Sequence, residues 1–196
     1  MNAEAAIQRG ARLQYLTLGW NSLEAVIAIG AGLIAGSISL IGFGFDSLIE
    51  VSSGVIILWR LFSGEHREEL ALKLVGGSFL ALAAYIALDA AKSLWFRKAP
   101  EHSYAGMVLA ILSLIVMPLL ASAKRKVAVS LHSNAMQADS RQTDICAYLS
   151  AILLVGLGLN ALLGWWWADP VAGWAMVPIV AKEGIEALRG DACCDD

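Results

Sequence analysis

The sequence predicts an all-α membrane protein with six transmembrane helices. Three observations carry that expectation. The 196 residues are 58% hydrophobic and 16% charged, with a mean hydropathy of +0.66. Soluble domains run at about 45–50% apolar and about 25% charged. Six apolar stretches can be separated, and a helical span needs roughly 17–25 residues. Short polar breaks, SGEHREEL and RKAPEH among them, divide the stretches.

The first stretch covers residues 13–37 and the second 40–62. The third covers 72–96 and the fourth 105–123, with the KRK run at 124–126 behind it. The fifth, 127–163, is amphipathic at its start and too long for a simple span. It is expected to project from the bilayer on the KRK side. The sixth, 170–188, follows the turn GWWWADP, whose tryptophans suit a membrane interface. The organisation is then a cytoplasmic N-terminal segment at 1–12, a six-helix transmembrane domain at 13–189 and a short Cys/Asp tail at 190–196. Glu4 and other polar residues lead directly into the first apolar run without a small-residue cleavage site, so no signal peptide is read. The small residues of AIGAGLIAGS and VGGS permit close helix packing.

Orientation follows from Lys and Arg. With the N-terminus in the cytoplasm, Arg9, Arg12, Arg60, the KRK run and Arg189 fall inside, against Lys92, Arg97 and Lys98 outside. This places a multi-pass protein in the cell membrane with both termini cytoplasmic. The net charge of −3, without a basic patch interleaved with aromatics, excludes nucleic acid as a partner. Cys146, Cys193 and Cys194 form no disulfide framework. No C-x-x-C, H-E-x-x-H or glycine-rich phosphate motif is present, so an enzyme is not expected.

Ionisable residues inside spans carry the functional signal. Asp89 lies three residues from Lys92 and reads as a structural ion pair. Glu24 shares a face with Asn21 and reads either as a hydrogen-bonded packing device or as a proton or ion gate. Asp46 and Glu50 are four apart on one helix face, with no Lys or Arg within a turn in sequence. Such a pair either holds protons or binds a cation. In the fifth span Asp139, Gln142, Thr143 and Cys146 fall at i, i+3, i+4 and i+7, with His132 seven residues ahead of Asp139. Arg141 and Asp144 are three apart and are expected to pair with each other. The stripe and the carboxylate pair together could make a four-ligand divalent-ion site; a hydrogen-bonded seam between helices is the alternative. The thiols and carboxylates of the tail could also hold a soft or borderline metal, or do nothing.

These residues resemble the cation diffusion facilitators, six-helix divalent-metal carriers, in a short form without a C-terminal cytoplasmic domain. Asp46-Ser47-Leu48-Ile49-Glu50 resembles the second-helix D-S-L-x-D. Asp139-Ser140-Arg141-Gln142-Thr143 resembles the later part of the fifth-helix motif, and Ala168-Asp169-Pro170 the A-D-P before the sixth. The run FGFDSLIEVSSGVIILWR is also similar to a zinc-efflux branch without the soluble domain. Two departures stand out: Ala135 occupies the histidine position, and Glu50 replaces an aspartate. The resemblance implies Asp46, Glu50 and Asp139 as ligands, with the fourth drawn from Gln142, His132, Cys146 or water. Losing the imidazole favours harder ions such as manganese, while the zinc branch points to zinc.

The function so implied is a secondary transporter exporting a divalent transition-metal cation, Zn²⁺ first, in exchange for protons. The cation is cargo, and no resident cofactor is implied. The expected partners are the metal ion, protons, the lipid bilayer and a second copy joined through the transmembrane helices. A membrane metal sensor or scaffold that does not transport is the alternative.

Overall fold

A computed structural model of the chain describes residues 3–63, 68–97, 100–131 and 134–189. Its elements are six α-helices: α1 (Ala3–Ala35), α2 (Ile38–Ser63), α3 (Glu68–Phe96), α4 (Tyr104–Leu131), α5 (Asn134–Leu163) and α6 (Ala168–Arg189). Helices satisfy every backbone amide within the segment, which hydrocarbon demands. Among the described residues, five of the six, all but α6, are long and apolar enough to cross a membrane.

The turns between helices follow local chemistry. Gly36 between α1 and α2 and Gly164 after α5 take φ of 66° and 65°, where glycine escapes the Cβ penalty. Ser37 caps α2, its Oγ accepting the Leu40 N–H at 3.2 Å. Asp169, in the first turn of α6, reinforces that cap from across the bundle. Its carboxylate accepts the Ile38 N–H at 3.0 Å, the Ser37 hydroxyl at 2.5 Å and the Ser39 hydroxyl. Nearby, Asn160 donates to the Pro100 carbonyl at 3.1 Å, and the Glu101 N–H to the Ala35 carbonyl at 2.8 Å. This end of the bundle is therefore tied by polar contacts across all its turns. Asp169→Ala should lower stability by about 1.5–3 kcal/mol, the range for hydrogen bonds to a charged group. Thermal unfolding in nanodiscs measures it.

α1 packs on α2 and α4, α4 on α5, and α3 on α6, while α2 also touches α3, α5 and α6. α2 is the central helix: 61% of Ile38–Val55 is buried, against 33–44% in the other spans. Close approach needs small residues at several contacts, two of which set helix pairs. A Cβ on Gly44 would stand 2.9 Å from the Ile29 amide nitrogen, which holds α2 against α1 just before Asp46. Gly76 and Gly184 face each other so closely that a Cβ on Gly76 would lie 2.8 Å from the Gly184 carbonyl oxygen, which fixes the α3–α6 pair. The outside is apolar, with Ile34, Leu88 and Leu162 among the most exposed side chains. The inside combines an apolar core around Phe43, Ile86 and Leu153 with a cluster of buried polar side chains.

Two boundaries differ from the sequence expectation: α1 begins at Ala3, ten residues ahead of the apolar run at 13, and the fourth and fifth helices divide elsewhere. The KRK run does not end the fourth helix. α4 continues through it to Leu131, and α5 begins at Asn134, so residues 127–131 belong to α4. No glycine or proline interrupts 119–131, and Ala, Lys and Arg all favour helix. α5 is accordingly shorter than the expected 127–163.

Candidate metal-ion site

Two layers of buried polar side chains lie between α1, α2, α4 and α5. The first is built around Lys124, which is wholly buried. Its Nζ meets Asp139 Oδ2 at 2.8 Å and donates to Thr143 Oγ1 at 2.9 Å. Gln14 Nε2 of α1 donates to the same Asp139 oxygen at 2.5 Å. The Thr143 hydroxyl is also 2.8 Å from Glu50 Oε1. One ammonium thus links Asp139 directly, and Glu50 through a hydroxyl.

The second layer lies one to two turns further along α5. Glu24 of α1 accepts the Ser47 hydroxyl at 3.0 Å, and its Oε2 is 3.8 Å from the Cys146 sulfur. Cys146 also lies beside Glu50 and within the electrostatic reach of Asp46. Asp46 is buried and feels Glu50, Glu24 and Glu183 of α6. Ser113 and Trp20 approach Glu24, and Asn21 approaches Glu50, without reaching hydrogen-bond geometry.

Carboxylates outnumber cations here. Glu24, Asp46, Glu50 and Asp139 are buried with Lys124. Among the described residues, the buried side-chain polar atoms without a hydrogen-bond partner all belong to this interior: Gln14 Oε1, Trp20 Nε1, both amide atoms of Asn21, Glu24 Oε1, Glu50 Oε2, Ser113 Oγ and Asp139 Oδ1. Orphaned groups at this density mark a place built for something other than stability. In this conformation no three His, Cys, Asp or Glu side chains among the described residues converge tightly enough to hold one ion.

Of the residues singled out in the sequence, Asp46, Glu50, Asp139 and Cys146 all point inward, and Gln142 is half-buried. His132, Cys193 and Cys194 lie outside the described residues. Asp139 is engaged by Lys124 and Gln14. Asp144 accepts from Arg125 of α4, a cation the sequence argument had not offered it.

The sequence argument missed Lys124. The signal was present: Ser113, Met117, Ala121 and Lys124 continue one buried face of α4 at helical spacing. Of the stripe Gln14, Thr17, Asn21 and Glu24, all buried on one face of α1, it read Asn21 and Glu24 but passed over Gln14 and Thr17. That stripe runs about 15 Å along the helix and joins the two layers.

The profile of the cation efflux transmembrane domain matches residues 15–191. The chain belongs to the cation efflux family. The matched region contains every residue of both layers except Gln14. The chain is 26% identical over 184 residues to Transmembrane protein 163 of Xenopus laevis, covering 90% of this chain and 65% of that one. It is 24% identical over 186 residues to a protein of Synechocystis named as an uncharacterized transporter, covering 89% and 60%. The chain therefore spans 60–65% of the length of these curated relatives.

Proposed function

We propose that the chain exports a divalent transition-metal cation, zinc first, in exchange for protons, through a site shared by α2 and α5. The observation that carries this reading is the charge imbalance between α1, α2, α4 and α5: among the described residues, four buried carboxylates there face one buried ammonium, with acceptor oxygens left unpartnered. Uncompensated carboxylates are untenable in a low-dielectric interior, so they hold protons or a cation. Membership in the cation efflux family supports the same reading.

In this proposal Asp46 and Glu50 of α2 and Cys146 and Gln142 of α5 receive the ion. Asp139 offers Oδ1, because its other oxygen is taken by Lys124 and Gln14. The arriving ion displaces protons from the carboxylates. Neutralisation lowers the barrier to rocking the helices, and the site opens to the other side. Returning protons then weaken the ligands and release the metal. The N-terminus faces the cytoplasm, and two copies associate through their membrane helices.

Purified protein in liposomes tests the coupling. Zn²⁺ uptake should saturate, accelerate when the vesicle lumen is more acidic than the outside, and slow severalfold when an ionophore collapses the pH difference. Saturable uptake indifferent to the pH difference would remove proton exchange from the account.

A further inference from the structure

We infer that α1 supplies a metal ligand: Glu24 binds the transported ion together with Cys146, giving the site a mixed carboxylate–thiolate character. The inference rests on the reading of α2 and α5 as the transport site and extends it to a third helix.

Glu24 is fully buried, and its only hydrogen-bonded oxygen is Oε2; Oε1 has no partner. A carboxylate kept only for helix packing would be expected to satisfy both oxygens. Among the described residues no Lys, Arg or His forms an ion pair with it, and Lys124 is spent on Asp139. What faces it is the Ser47 hydroxyl, one residue after Asp46, and a thiol, with Ser113 and Trp20 nearby but outside hydrogen-bond geometry.

That thiol donates an S–H hydrogen bond to Glu24, and its spacing also suits ligation once the proton leaves. Bonds of about 2.0 Å to oxygen and about 2.3 Å to sulfur at a tetrahedral angle place the two donors about 3.5 Å apart. Glu24 Oε2 and Cys146 Sγ are 3.8 Å apart. The pair already stands within a few tenths of an ångström of the separation two ligands of one zinc ion adopt. Glu50 also lies beside Cys146, so carboxylates from both α1 and α2 are near the thiol. No three such side chains converge among the described residues, so the α2 carboxylates Glu50 and Asp46 must turn toward this pair when the ion binds.

The donor chemistry sets the cargo. A thiolate among carboxylates selects borderline ions such as Zn²⁺ and Co²⁺ over Mg²⁺ and Mn²⁺. It also offsets the histidine that the fifth helix lacks at Ala135.

Co²⁺ binding to the full-length protein in nanodiscs tests this. The background carries Cys193→Ser and Cys194→Ser, so that any thiolate-to-cobalt charge-transfer band reports Cys146. The parent should show that band together with intense visible d–d absorption. Cys146→Ser should abolish the charge-transfer band. Glu24→Gln should keep the band, change the d–d envelope and weaken binding by at least the roughly 10–100-fold that follows loss of even an outer-shell partner. Glu50→Gln is the control for the underlying site. If Glu50→Gln abolishes binding while Glu24→Gln leaves affinity and spectrum unchanged, the α1 ligand is wrong and the α2–α5 site stands. If the parent binds Co²⁺ without a charge-transfer band, the thiolate is wrong. If the parent does not bind at all, both readings fall together.

Discussion

Lys124→Met should destabilise the bundle by about 3–5 kcal/mol, the range for removing one partner of a buried ion pair. The substitution leaves Asp139 buried without its cation and Thr143 without one of its two bridges to the network. The apolar stem of methionine fills much of the space the lysine chain occupied, so lost packing contributes little. A pair replacement separates charge from shape. Lys124→Met with Asp139→Leu removes both charges, and buried pairs replaced in this way are often neutral or even stabilising. The double variant should therefore recover most of the stability that the single variant loses. Thermal unfolding of all three proteins in one lipid environment measures the pattern. A single variant as stable as the parent would mean that Asp139 does not depend on Lys124.

Asp46→Asn and Glu50→Gln should each abolish metal transport while the bundle still folds. The substituted groups keep their shape, and the amides carry no charge in need of a counter-ion. Removing a buried charge that lacks a direct cation should stabilise the apo protein, or leave it unchanged. Loss of function with unchanged or raised thermal stability is a pattern that a purely structural carboxylate does not give. Transport assays on the same preparations used for unfolding measure both quantities. Asp46→Asn protein that transports normally would exclude Asp46 from the ion's path.

The membrane class and the six helices were legible because composition and apolar run length are properties of sequence alone. The Asp46–Glu50 pair was legible for the same reason: two carboxylates four residues apart share a helix face wherever that helix packs. The stripe on α5 was also readable, and Asp139, Thr143 and Cys146 do turn inward together. What they meet there was not readable. Lys124 sits in a run of three basic residues, which reads as a solvated loop, and only the continuing helical period of α4 betrays it. Its pairing with Asp139 joins two helices through a turn whose length the apolar pattern did not define. The same holds for Glu24. Its neighbours Ser47 and Cys146 lie 23 and 122 residues away, and no local rule connects them. Asp169 shows the converse: its A-D-P context was visible, but its work as a cap on α2 depends on a contact 131 residues distant.

The account turns on one claim, that the buried carboxylates exchange protons for a divalent cation. Counting protons tests it most directly. Zn²⁺ is titrated calorimetrically into the protein in buffers of different ionisation enthalpy, and the apparent heat yields the protons released per ion bound. The account predicts release on binding, affinity that falls as the pH is lowered, and loss of both with Glu50→Gln. Tight Zn²⁺ binding that releases no protons and survives Glu50→Gln would contradict it.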